Sequence, residues 1–413
     1  MLCCNRITHL EHSMKRSLFL LSLLATPCIL NSCGDDNGSV ATSTQIEPAD
    51  PAHVYKVMEN RYCSNREKEI FRDGYNGKEI DFKKIERDHI KIYCSGAGLG
   101  GHSKLIFRAI NSEQDEEYTD RYVRSAAFGA AAGGHTELAE LLVKKGASKL
   151  NVLEGAALGK QMTVIETTLD QLKNEPNYNS KRHKKAASYI LRGAAEGGQM
   201  DLVEKMLEEG AEPTKGFEGA AEGGQLEIAQ LLLRKGAYMH DSIKLAAKGG
   251  HIELVKLILD NSKSFELDVS DGLHSAAEGG HMDIIKLLLD KGGNPYDALE
   301  STARNGHIDI LRLLLNEGAN PAGALRQAAY GGHIEIVQMM LERGSDPNKE
   351  YALHAATSGN HSEIVKLLLK QPNINLFLRD RDGQSPLDIA QANEFKECAE
   401  LILAAIEEQK KQQ

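Results

Sequence analysis

The sequence predicts an all-α solenoid of short helix pairs, and three regularities predict it. A Gly-Gly-His signature returns about every 26 residues, an Ala-rich helical half precedes each signature with a Leu/Ile-rich half after it, and helix-stop glycines recur in the same phase. The chain is 41% hydrophobic but only 5% aromatic, with no Trp and 38 Gly, which suits small residues between stacked helices better than one large core. At 413 residues it would otherwise suggest two or three domains, but a repeat overrides that prior because stacked units grow without a central core.

The first segment reads as an address. From Met14, the expected start, the chain runs Lys15-Arg16, then an apolar stretch from Leu18 to Leu30, then Asn31-Ser32-Cys33 and a polar stretch from Gly34. A charged start, a short apolar middle and small residues at the cut describe a secretory signal over residues 1–33. As helix the apolar stretch is roughly 20 Å long, short of the ~30 Å hydrocarbon core, so a permanent span is the weaker reading. Leu30-Asn31-Ser32-Cys33 resembles the bacterial lipoprotein box, although Asn31 departs from its usual small or β-branched residue. The resemblance implies a lipid on Cys33 and a chain held at the cell envelope, facing periplasm or exterior; an ordinary cleaved signal, with Cys33 incidental, is the alternative. Residues 34–51 read as a flexible linker and 52–87 as a helical cap.

Setting aside Cys3, Cys4, Cys28 and Cys33 leaves Cys63, Cys94 and Cys398. In an oxidising compartment a Cys63–Cys94 bridge would close a loop of about 30 residues, a constraint of roughly 3 to 4 kcal/mol. Two separate buried thiols fit equally, since sequence does not give their separation. Cys398 reads as core.

The solenoid is expected over residues 88–405, with an insertion at 173–188 and a polar tail at 406–413. Signatures stand at His135, His251, His281 and His333, with variants at His307 and His361; Gln takes the place at Gln161, Gln199 and Gln225, and His102 fits the register upstream. The stretch from Ile243 to Leu259 displays one unit: a short Ala-bearing half, glycines that let the backbone turn, and a second half apolar on much of its circumference. An acid two places after the signature, as at Glu137, Asp201 and Glu253, sits where the macrodipole favours negative charge. Gly210, Gly292, Gly318 and Gly344 end the second halves, each followed by a proline.

Taken together, Ala-Ala-x-Gly-Gly-His-x-Glu-Ile-Val-x-Leu-Leu-Leu resembles the ankyrin repeat over roughly residues 90–405. Most units are about seven residues shorter than that family's, at the place of its β-hairpin finger, so the fingers are expected to be largely missing. Asp380 to Leu387 alone resembles the full-length turn and Thr-Pro-Leu-His start, with Ser385 as cap, Pro386 in the first turn and Asp388 replacing the His.

No catalytic constellation, cofactor motif or metal set stands out. Gly96 to Gly101 has dinucleotide-fingerprint spacing but no alternating βαβ context. The signature histidines lie one unit apart, which suits a repeated local contact better than zinc. A net charge of -10 argues against nucleic acid. Lys181-Arg182-His183-Lys184-Lys185 reads as a solvated surface loop. The resemblance places binding residues on the exposed side of the first helices, where Arg192/Glu196, Lys244/Lys248, His274/Glu278, Glu300/Arg304 and Arg326/Tyr330 stand at i, i+4. They form either a partner strip or a charge ladder, for example Glu218 and Glu222 facing Lys244 and Lys248; Arg304, Arg326 and Tyr330 are the preferred anchors. The expectation is a lipid-anchored scaffold holding a protein partner on its concave wall; a secreted effector acting on host proteins and an enzyme with chemistry near residues 51–95 are the alternatives.

Overall fold

The computed structural model describes residues 49–62, 65–82, 85–239, 241–262 and 265–412. The signal segment with Cys33, the linker up to residue 48 and Cys63 lie outside the described residues. Among the described residues the chain is helical without a strand.

Two helices, α1 (Pro51–Asn60) and α2 (Asn65–Tyr75), precede a series of pairs. The pairs are α3 (Arg87–Leu99) with α4 (Ser103–Ser112), α5 (Glu116–Ala132) with α6 (Thr136–Lys144), α7 (Lys149–Leu158) with α8 (Met162–Lys173), and α9 (Ser180–Glu196) with α10 (Met200–Glu208). They continue as α11 (Pro213–Gly223) with α12 (Leu226–Arg234), α13 (Ser242–Lys248) with α14 (Ile252–Asn261), α15 (Phe265–Gly279) with α16 (Met282–Asp290), and α17 (Tyr296–Asn305) with α18 (Ile308–Asn316). The series closes with α19 (Ala324–Gly331) and α20 (Ile334–Glu342), α21 (Ala352–Ser358) and α22 (Ser362–Leu369), and α23 (Pro386–Ala392) and α24 (Lys396–Gln412). First helices pack side by side in one row from α2 to α23, and each second helix lies against its own first helix. The helix α2 therefore occupies a first-helix place with no second helix of its own among the described residues.

Side-chain size separates the rows. The first helices bury alanines, such as Ala246, Ala247, Ala276 and Ala277, so neighbouring axes come close. In α7 and α9 even a methyl is too large: a Cβ on Gly155 or Gly193 would run into the carbonyl of Phe128 or Glu154 on the preceding first helix. The second helices bury branched residues one turn apart, such as Ile284, Ile285 and Leu288, at about 1.5 to 3 kcal/mol each. In most of them an acid stands in the first turn, for example Glu137, Asp201 and Glu253.

The signature is a staple between repeats. In each, the His or Gln sits at the N-cap of the second helix yet gives it no side-chain cap bond. Its side chain reaches the previous repeat instead: His281 Nε2 donates to Lys248 O at 2.8 Å, His333 Nε2 to Arg304 O at 2.8 Å, and Gln199 Nε2 to Leu158 O at 2.8 Å. The residue before the His or Gln takes a left-handed backbone, as glycine in most repeats and as Lys160 and Asn360 in two. At Gly280 φ is +75° and a Cβ would stand 2.5 Å from the His307 ring.

Three local readings change. Lys181 to Lys185 is not a loop but the opening turns of α9, whose start is capped by Asn179 accepting from the Arg182 amide. The expected polar tail at 406–413 continues the last helix, because α24 stays helical to Gln412 and buries Ile402 and Ile406. The linker end is held: Asp50 caps α1, and the Ala49 amide donates to Gly159 O at 3.1 Å. At α23, Ser385 and Asp388 form a reciprocal capping box with Pro386 in the first turn.

Candidate protein-binding wall

Counting back seven and three places from each signature position gives two columns that share one face of every first helix. At the N-terminal end the three-back column is apolar and buried, with Leu99, Ala132 and Leu158. Beyond it the columns become Glu154, Arg192/Glu196, Glu218/Glu222, Lys244/Lys248, His274/Glu278, Glu300/Arg304 and Arg326/Tyr330, ending in His354/Ser358.

Much of this wall is engaged within the chain. Arg192 pairs with Glu154 and, at 2.7 Å, with Glu222, and stands 3.6 Å from Glu218. Arg61, just past α1, donates through Nε and Nη2 to the two carboxylate oxygens of Glu196 at 2.7 and 2.6 Å. Its guanidinium also lies 4.4 Å from the centroid of Phe128 and 3.5 Å from Glu222. The helix α1 thus crosses the wall, with His53 Nε2 3.4 Å from Gly197 O and Val54 and Met58 buried. Burial pushes the Glu196 carboxyl up to about 7, against the pull of Arg61 and with a further push from Glu222. Burial acts the same way on Glu222, but Arg61 and Arg192 together hold it below the ordinary carboxylate value.

In the middle of the wall the charge ladder runs forward. Lys244 pairs with Asp271 and Lys248 with Glu278, each at 3.1 Å, while Glu218 and Glu222 turn back to Arg192. A hydrogen bond from His274 holds Glu278 down to about 2, and the same bond raises His274. His274 Nδ1 also meets Ser301 Oγ at 3.0 Å.

Toward the C-terminus the wall opens. Glu300 accepts from Gln327 at 3.1 Å, and the Arg304 guanidinium lies 4.7 Å from the Tyr330 ring centroid. Arg304, Arg326 and Tyr330 line a cleft of about 420 Å³ together with Tyr351, His354 and Arg381. None of the three arginines forms an ion pair with a described residue. Asp380 and Asp382 share the cleft, and one carboxylate oxygen of Asp380 accepts the Asp382 and Gln384 amides and shapes the turn. Tyr351 has φ +52°, an uncommon value for an aromatic residue, and its ring meets that of His354 edge-on at 5.4 Å.

Residues 243–323 and 325–413 match the family model described as Ankyrin repeats (3 copies). These stretches, less than half of the chain, are similar to ankyrin repeats. One solved structure, the human ASB11 ankyrin repeat domain, is 22% identical to this chain, covering 46% of this chain and 96% of that one, with a TM-score of 0.37. No curated protein matches the chain. All of the cleft residues from Arg304 to Arg381 fall within the two matched stretches.

Sequence reasoning named Arg304, Arg326 and Tyr330 and missed Tyr351, His354, Arg381 and Arg61. His354 was within reach, because it extends the seven-back column by one unit; Arg61 was not, because it belongs to no repeat. Cys94 is a free, fully buried thiol in α3, raised by its burial, and its suggested partner Cys63 lies outside the described residues. Gly96 and Gly98 belong to α3, where a Cβ on either would meet backbone of α2 or α5. Among the described residues no group of three or more His, Cys, Asp or Glu is placed to hold a metal ion, and no helix is long and apolar enough to cross a membrane.

Proposed function

We propose that the chain is a non-catalytic scaffold that holds a protein partner on the open, C-terminal part of the first-helix wall. The observation that carries this reading is the cleft of Arg304, Arg326 and Arg381 beside Tyr330 and Tyr351, three guanidiniums without an ion-pair partner among the described residues, in a chain of net charge -10. Arginine and tyrosine are enriched among the few residues that dominate binding energy, and the three arginines outnumber the cleft's Asp380 and Asp382, which favours an acidic segment as the occupant. Export and a lipid on Cys33 belong to the same proposal and rest on the leader's pattern.

Crosslinking and affinity recovery from intact cells tests it. The combined variant Arg304→Glu, Arg326→Glu, Tyr330→Ala is expected to recover the wild-type partner at least roughly 30-fold less well, the loss of one anchor of about 2 kcal/mol. Cys33→Ser should leave the membrane fraction in the same cells. Undiminished recovery by the triple variant would remove the cleft from the proposal, and membrane retention of Cys33→Ser would remove the anchor.

A further inference from the structure

The N-terminal half of the wall is filled. Its cover, α1, belongs to neither row of helices, and it touches the solenoid where the columns change from apolar to acidic. At that point Glu196, 0% exposed, accepts both hydrogen bonds of one guanidinium, Glu222 stands at 3.5 Å from the same group, and Phe128 forms the aromatic side. Arg192 is the guanidinium of the wall itself, and it is engaged by Glu154 and Glu222. Among the described residues Arg61 is the donor to the Glu196 side chain. A parallel two-bond fork, a flat ring alongside and a buried carboxylate select arginine over lysine, which offers a single point charge and no plane to stack.

We propose that Glu196, Glu222 and Phe128 form a receptor notch for an arginine-bearing helical segment, and that residues 49–62 of the same chain are its occupant in cis. The inference rests on the reading of the first-helix wall as a binding surface and assigns that wall a second site, filled by the chain's own helix. The apolar side of the ligand is supplied by Val54 and Met58, both buried, and its amino end by the Ala49 amide on Gly159 O. A partner helix of the same character, with two aliphatic residues one turn apart and an arginine three places on, would compete for the seat.

The test needs no partner, so its outcome is independent of the cleft. In the full chain, Arg61→Lys is expected to raise amide exchange in α1 at least ten-fold while α9 and α11 keep their protection. A chain with Val54→Asp, Met58→Asp and Arg61→Ala vacates the notch; it should bind a synthetic peptide of residues 49–62, which the wild-type chain ignores. The same peptide carrying Arg61→Lys should bind at least ten-fold more weakly, as should the wild-type peptide once Glu196→Gln is added to the vacated chain. Lysine restoring full protection, α9 and α11 losing protection together with α1, unfolding of the vacated chain, or a vacated chain that ignores the wild-type peptide or binds both peptides equally would each overturn the proposal.

Discussion

At the scale of single residues, the Gly-Gly-His signature couples a backbone constraint to a packing constraint. Gly280 needs φ +75° and also leaves room for the ring of His307, whereas Gly318, at φ +91°, has nothing within 4 Å of where a Cβ would be. Both positions disfavour L side chains, but only one would also push a neighbouring repeat. Gly318→Ala is therefore expected to cost about 1 to 2 kcal/mol, the left-handed penalty alone. Gly280→Ala should cost clearly more, about 3 kcal/mol, because the staple has to shift as well. Urea unfolding of the two variants decides it; equal losses would mean that the ring yields freely.

At the scale of the helix pair, the staples make stability depend on protonation. Burial lowers His251, His281, His307 and His333, with the carbonyl that accepts from each ring pulling the other way, and His354 in the cleft is lowered for the same first reason. A lowered folded-state value means that the stabilisation is complete above the unfolded value of about 6.5 and is lost as pH falls through the folded values. The urea midpoint should therefore drop below pH 6.5. Replacing His281 and His307 by Gln, which already makes this bond at Gln199, should flatten that drop while leaving pH 7.5 nearly unchanged. An identical slope in the variant would assign the acid sensitivity elsewhere. The pairing itself was legible in the sequence because Ala, Gly and Leu repeat in phase. The direction of the ladder was not: Lys244 and Lys248 reach forward to Asp271 and Glu278, and since carboxylates stand on both neighbouring first helices, residue type alone leaves the direction open. The helical opening of α9 was hidden as well, since Lys181 to Lys185 carries no apolar period of its own.

At the scale of the whole molecule, stability is a sum over neighbours, so the ends matter. Cys398, Ile402 and Ile406 of α24 are buried, and α24 packs on α22. Ending the chain at Asn393 should remove about 1.5 to 3 kcal/mol for each of the isoleucines. Hydrogen exchange should speed up in α22 and leave α7 as it was; a uniform change along the chain would contradict nearest-neighbour behaviour. The sequence made the row of repeats visible but not what lies across it, because a single helix outside the period leaves no recurring mark. That crossing helix has a mechanical meaning. Most packing along this spring runs from one turn to the next, but Arg61 ties the ends of α5, α9 and α11 together through Phe128, Glu196 and Glu222. Pulled from its two ends, the molecule is braced in its first half and compliant in its second, so elastic extension gathers around the arginine cleft.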